Sequence, residues 1–334
     1  MKKIQKQLII LSLFFLVMLA AVGCGSKDTG NGEKTDVRIA YFPNITHTQA
    51  LVMKNQGTLE EKWKDTCNVT WTSFNAGPAE IEAIFAGEID LGYIGPVPAI
   101  NANVKSDGDV KIISNATNAG AVLLVRKDSG IASVKDLSGK KVAVPQLGNT
   151  QHLCLLSLLS DNGLKTVDQG GDVTISASSN ADILNLIDNG SVDAAVVPEP
   201  WGTTIEKNGN AEILLDYDEL FLNGDYPTAV VIANGDFMEQ HPDYVKEFLE
   251  AHKDATLFIN DNPKDAQTIV NSEIEGVTGK SIAEDVLESA FSRMTADTAV
   301  NTEAIMTFAN ISKNEGFTSK VPEEKDVFNT EFNQ

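Results

Sequence analysis

The chain has 334 residues, of which 42% are hydrophobic and 22% charged, an ordinary composition for a soluble globular protein of about two domains. Its formal net charge is −21, and because residues 1–23 carry Lys2, Lys3 and Lys6 and no acid, the remainder is more acidic still. That balance excludes a nucleic-acid partner and electrostatic attachment to an anionic membrane. It still permits an anionic ligand held by local donors.

The first segment reads as an address. Lys2, Lys3 and Lys6 form a basic region, Leu8–Val22 an apolar one, and Ala20-Ala21-Val22-Gly23 leads to Cys24. Residues 1–23 are therefore expected to be an export signal, whose removal leaves no transmembrane helix. Cleavage with Cys24 unmodified is the plain alternative. The run resembles a bacterial lipobox, with Gly23 before the cysteine and small Ala21 where Leu is commoner, and the resemblance implies a diacylglyceryl thioether on Cys24. Residues 24–35, polar and Gly-rich, read as a tether.

The body then alternates strands and helices. Strand Val37–Phe42, helix His47–Asn55, strand Val69–Phe74, helix Pro78–Ala86 and strand Leu91–Ile94 come first. A helix over Val97–Asn103, strand Lys111–Asn115, the apolar run Ala121–Arg126 and a short helix closed by Gly139 follow. A second series begins at Lys141: strand Val142–Pro145, helix Thr150–Asp161, strand Val173–Ala177, helix Ala181–Asn189, strand Ala194–Val197, helix Trp201–Lys207 and strand Glu212–Asp216. The run Thr228–Asn234 resembles Ala121–Arg126. Amphipathic helices complete the chain over Tyr244–Asn260, Pro263–Glu273, Ile282–Phe291 and Thr302–Glu315, and these are expected to pack on the first lobe.

The two series are copies. Asn44 and His47 correspond to Asn149 and His152, an offset of 105 residues, and Gly87 and Asp90 recur as Gly190 and Asp193. That period is too long for a solenoid unit and suits two similar lobes. The expected fold class is α/β: two βαβ-type lobes joined by two crossover strands, with largely parallel, helix-covered sheets. Lobe 1 comprises residues 36–119 plus 227–334, and lobe 2 residues 120–226. Ligands of such sheets sit at the carboxyl ends of the strands, where polar loops open helices whose free N–H groups suit a small anion. Cys67 and Cys154 fall in different copies and are expected to be reduced, and His47, His152, His241 and His252 do not cluster.

Five stretches taken in order carry a family resemblance: Tyr41 to His47, Gly87-Glu88-Ile89-Asp90 leading to Gly95-Pro96-Val97-Pro98, Gly148 to His152, Val197 to Trp201, and Tyr226-Pro227-Thr228. Together they resemble the solute-binding proteins of ABC importers for aliphatic sulfonates, taurine and nitrate, over nearly the whole mature chain. The resemblance implies a two-lobed clamp of the periplasmic-binding-protein type (type II). Such a clamp is a monomer without a cofactor, held outside the cell membrane, and it delivers a small anionic solute to a permease driven by a cytoplasmic ATPase. Carried onto this chain, the ligand-binding residues fall on Asn44, Thr46, His47 and Thr48, on Gly95, Pro96 and Val97, and on Asn149, Thr150 and Gln151. Glu199, Trp201, Tyr226 and Thr228 complete the set.

Each of these has a second reading. Trp201 is either a ligand wall or a core residue of its helix, His47 a ligand group or a filler of the core. Glu199 suits bonding to nearby N–H groups better than contact with an anion, which it would repel. None of Arg38, Arg126 and Arg293 lies in a pocket loop, so neutral donors must hold the anion. An organosulfonate leads as the solute, with nitrate or bicarbonate the alternative. A desulfinase or a pyrimidine-synthase-like enzyme of the same fold is the competing class. It would require a reactive cysteine near a histidine and an arginine, and Cys154 and His152 point to different faces of one helix.

Overall fold

The computed structural model describes residues 34–333. The expected export signal, Cys24 and nearly all of the tether lie outside the described residues. Eleven strands and fourteen α-helices follow among these residues. The first part runs β1 (Thr35–Tyr41), α1 (Thr48–Gln56), α2 (Thr58–Lys62), β2 (Cys67–Ser73), α3 (Gly77–Phe85), β3 (Leu91–Ile94), α4 (Pro96–Lys105) and β4 (Lys111–Ala119). The second runs β5 (Ala121–Arg126), β6 (Lys141–Val144), α5 (Thr150–Asp161), β7 (Thr174–Ala177), α6 (Asn180–Asp188), β8 (Ala194–Pro198), α7 (Trp201–Lys207) and β9 (Ala211–Leu215). After α8 (Tyr217–Leu220) come β10 (Pro227–Ala233), α9 (Gly235–Gln240), α10 (Pro242–Asp261), α11 (Pro263–Thr278), α12 (Glu284–Phe291), β11 (Met294–Ala296), α13 (Thr302–Asn314) and α14 (Glu324–Val327).

The strands form two sheets, one per lobe. One has six strands in the order β11-β4-β10-β3-β1-β2, the other five in the order β7-β6-β8-β5-β9. Inner strands are the apolar ones: every residue of β10 (PTAVVIA) and of β8 (AAVVP) is buried, as helices on both faces require. The sheets are mixed rather than largely parallel. β1 pairs parallel with β2 and β3, and β6 with β7 and β8, whereas β4 and β10 in one sheet and β5 in the other pair antiparallel with their neighbours. The cause is the exchange between lobes. A strand entering from the other lobe arrives without a crossover helix and runs against the strands built by βαβ units.

The two crossings differ in form. The outward one joins β4 to β5 through Ala119 and Gly120, both left-handed at φ 59° and 78°. Gly120 relieves that geometry, and a Cβ there would lie 3.1 Å from the Met294 Cβ. The return passes through α8 and a short 3-10 turn, Leu222–Gly224, before β10.

The tail is shared between the lobes, unlike the expectation that all of it packs on the first. α10 and α11 pack on α1 of the first lobe, but α12 packs against α7 of the second, and α13 lies against both α4 and α5. Phe308 and Ile305 of α13 belong to one apolar cluster with Val97 of α4 and Leu153 and Leu155 of α5, so the lobes share a core there. The two described cysteines, Cys67 and Cys154, are buried and free.

Candidate functional site

The helix starts of the two lobes face one another. The stretch from β1 to α1 brings Phe42, Asn44, Thr46 and His47 to a cavity of about 40 Å³, and the starts of α3 and α4 bring Asn75, Ala76, Gly77, Gly95 and Pro98. From the other lobe come Pro145, Asn149, Thr150 and Gln151 at the start of α5, Asn180 at the start of α6 and Pro198 at the end of β8, and Thr228 comes from β10. No lining side chain carries a formal charge, the one titratable group among them, His47, being neutral. Helix starts therefore set the potential: each offers backbone N–H groups ahead of its first internal bond and the positive end of its dipole.

Caps shape these starts. Asn44 Oδ1 accepts the Thr46 N–H at 3.1 Å, and Asn149 Oδ1 accepts the His152 N–H at 2.9 Å. The Leu153 N–H bonds to the Asn149 carbonyl, so the N–H groups of Thr150 and Gln151 come before this first intrahelical donor and have no acceptor within α5. The first start is tied to the sheet, since the Thr117 hydroxyl donates to the Thr46 carbonyl at 2.8 Å. The lobes approach closely where Thr150 meets Gly95: a Cβ built on Gly95 would lie 2.5 Å from the Thr150 Oγ1.

His47 is neutral. Its Nδ1 accepts the Phe42 N–H at 3.1 Å, which leaves the ring proton on Nε2, and complete burial pushes its pKa down to about 3. The Phe42 ring stacks on the imidazole, with centroids 4.4 Å apart, and gives the cavity an apolar wall. His152 repeats the arrangement, accepting the Gly148 N–H at 3.0 Å, and burial lowers it to about 4. It does not line the cavity but meets Phe317 edge to face.

The cavity gathers Asn44, Thr46, His47, Gly95, Asn149, Thr150, Gln151 and Thr228 from the sequence-derived set. The others lie elsewhere. The Thr48 hydroxyl turns back to the Ile45 carbonyl, Pro96 and Val97 turn into the first turn and core of α4, and Tyr226 is wholly buried against Phe221 and Phe308. Trp201, proposed from sequence as a wall, instead packs on the apolar cluster of Val122, Val197 and Ile205 behind β8, because the first residue of α7 faces that sheet.

Glu199 is fully buried and points away from the cavity, accepting the Thr203 N–H and hydroxyl, each at 2.9 Å, and Arg293 Nη1 at 3.1 Å. Burial outweighs these partners and raises its pKa. Phe42, Asn75, Ala76, Gly77, Pro98, Pro145, Asn180 and Pro198 line the cavity without having been singled out as site residues. Asn180 was within reach of the repeat, since it immediately precedes the stretch Ala181-Asp182-Ile183 that matches Ala79-Glu80-Ile81 at the α3 start.

Residues 30–272 match the model of the NMT1-like family. The chain belongs to that family. An Escherichia coli (strain K12) protein named for binding aliphatic sulfonates is 30% identical over 193 residues, or 57% of this chain and 59% of that protein, so the match spans somewhat over half the relative's length. Two solved structures show the same fold around the NMT1-like sequence. The alkanesulfonate-binding protein SsuA of Xanthomonas axonopodis pv. citri, bound to MOPS, has a TM-score of 0.72 at 22% identity, covering 89% of this chain and 99% of that one. The periplasmic nitrate-binding protein NrtA of Synechocystis PCC 6803 has a TM-score of 0.67 at 14% identity, covering 88% and 84%. Both carry the two-lobed periplasmic-binding-protein fold.

Proposed function

We propose that this protein is the extracytoplasmic solute-binding component of an ABC importer and that it captures a small anion in the cleft between its lobes. The carrying observation is the cavity itself, where helix starts from both lobes meet around neutral donors with no charged carboxylate in the lining. Exposed helix N-termini each favour negative charge by roughly 0.3–1 kcal/mol, and by up to about 2 kcal/mol when partly buried. Closing two lobes on one anion adds such contributions, less the cost of ordering. The sulfonate named for the Escherichia coli relative supports a compact organosulfonate as solute. A nitrate- or bicarbonate-type anion is the second reading, favoured by the small volume of the cavity.

In this reading the lobes, residues 36–119 plus 227–334 and residues 120–226, open and close about the two crossings. The closed form docks on a permease coupled to a cytoplasmic ATPase, with a lipid on Cys24 keeping the monomer at the membrane. Chemistry on the solute is disfavoured, because Cys154 is wholly buried, its thiol is pushed up by that burial, and it does not line the cavity.

Calorimetry with methanesulfonate, taurine, nitrate and bicarbonate tests the reading. Micromolar binding of at least one is expected, and no binding by any of them rejects the anion clamp. Replacing Cys24 by Ala should release the protein from the membrane fraction, and its retention there would reject the anchor.

A further inference from the structure

We infer that His47 touches the solute and meets an oxygen of the bound anion as a neutral donor, through its Nε2–H. The inference rests on the anion-clamp reading above and assigns one contact within it.

The chain behind the ring settles its orientation. The Phe42 backbone N–H can only donate, and it donates to His47 Nδ1 at 3.1 Å, so that nitrogen is bare. A neutral imidazole then carries its proton on Nε2. The ring is stacked on Phe42, with Tyr93 tilted against it at a centroid distance of 6.2 Å. It is 1% exposed, so it does not turn over without displacing these neighbours.

The Nε2 side is the open one. Nε2 has no hydrogen-bond partner among the described residues, yet it is not among the unpartnered side-chain atoms that have lost their accessible surface. His47 lines the cavity, so the surface it keeps is cavity surface. Asn44 Nδ2 and Gln151 Nε2 share this condition in the same lining, while their oxygens accept from the Thr46 N–H and from Asn149 Nδ2. An amide side chain can present either end to a ligand. His47 cannot, because Phe42 leaves it only the donor end.

A buried N–H that closure strips of water is costly unless an acceptor replaces the water. An oxygen of the solute, placed against the start of α1, is that acceptor. The imidazole supplies a directed hydrogen bond without adding a charge, and the burial that lowers its pKa to about 3 keeps it in that form. A solute group that only donates is turned away from this point. A zwitterion such as taurine therefore sets its sulfonate oxygens, and not its ammonium, against His47.

The test reads the imidazole directly. The protein is labelled with a nitrogen isotope in its four histidines, and taurine, methanesulfonate, nitrate and bicarbonate are the probes. Two-bond nitrogen–proton spectra at neutral pH should show His47 with a bare Nδ1 and a protonated Nε2. Saturation with an anion that binds in calorimetry should move the Nε2–H resonance and leave Nδ1 bare. His47→Gln, whose amide reaches the Nε2 position, should keep affinity within about threefold of wild type, whereas His47→Asn, whose shorter amide reaches only the Nδ1 position, should weaken it at least about tenfold. Each variant is checked for a wild-type circular dichroism spectrum, and where one fails that check the resonance of the wild-type ring decides alone.

An anion that binds without moving the Nε2–H resonance overturns the inference and leaves the clamp standing. So does protonation of Nδ1 on binding, since the ring would then act as a cation. A folded Asn variant as tight as wild type, or a folded Gln variant as weak as the Asn one, overturns it as well. Failure of all four probes to bind wild type rejects the clamp and this inference together.

Discussion

Thr150 of the second lobe and Gly95 of the first meet so closely that a single added carbon on Gly95 would lie 2.5 Å from the Thr150 Oγ1. Gly95 has φ −66° and ψ 150°, which any residue adopts, so its requirement for glycine is set by the other lobe and not by its own backbone. Gly95→Ala should therefore leave the fold intact and penalise closure. We expect solute affinity at least about tenfold weaker in calorimetry, with an unfolding midpoint in the absence of solute within about 0.5 kcal/mol of wild type. Adding Thr150→Ala should recover part of the loss that steric conflict causes. A single variant that binds as tightly as wild type would show that the contact is dispensable.

Trp201→Ala separates packing from recognition. The ring packs on the apolar cluster that includes Val197 and Ile205 and does not line the cavity. We expect a loss of about 2–3 kcal/mol of stability in urea titration, below the full cost of a wholly buried tryptophan because the ring is partly exposed. Affinity for short anions should change less than threefold. A large loss of affinity with unchanged stability would return the ring to the solute.

Arg293 joins elements of the two lobes. It follows α12 and precedes β11 of the first sheet, yet it bonds Glu199 after β8, Thr203 at 2.7 Å in α7, and Asp216 at 2.9 Å after β9. Arg293→Ala leaves the Glu199 carboxyl buried with only Thr203 as partner. We expect a cost of about 2–3 kcal/mol, less than a fully stranded buried charge because the Thr203 bonds persist. Glu199→Gln combined with Arg293→Ala should be less damaging than the sum of the single changes in a double-mutant cycle. Additive losses would mean the pair does not interact.

Acid should weaken the protein through its imidazoles. Burial depresses His47 to about 3 and His152 and His252 to about 4, from an ordinary value of 6.5. His252 is fixed as a neutral ring between the Tyr93 hydroxyl, which donates to Nδ1, and the Asn115 carbonyl, which accepts from Nε2, both at 2.8 Å. A depressed imidazole contributes stability that is fully present above 6.5 and is lost as pH falls towards the folded value, at about 1.4 kcal/mol per pH unit for each ring. Glu80 and Glu199, raised by burial, act with the opposite sign: their contribution is present below the ordinary carboxylate range and lost as pH rises through their folded values. The imidazoles dominate between pH 6.5 and 4, so the urea midpoint should fall across that window. A flat or rising midpoint would show that these rings are not held neutral.

The chain by itself determined the pattern that local physics controls. The repeat of strand, polar loop and helix and the apolar runs at Ala121–Arg126 and Thr228–Asn234 follow from side-chain periodicity. The expectation that a ligand sits at helix starts after strand ends comes from the sheet architecture, and it was the family resemblance that carried it onto Asn44, His47, Thr150 and Gln151, which line the cavity. Only the tertiary structure decided which neighbours of those residues face the cavity. Trp201 and Tyr226 sit in the right motifs, but the face of a helix or strand that turns inward depends on partners far away in sequence: an apolar cluster drawn from β5 to β9 behind one, Phe308 beside the other. Asn180 enters the lining for the same reason, because α6 opens beside α5 across a sheet whose order no local pattern encodes. The sharing of the tail between lobes and the Arg293–Glu199 pair were hidden likewise, since long-range packing and ion pairing join residues 94 apart that carry no common periodicity.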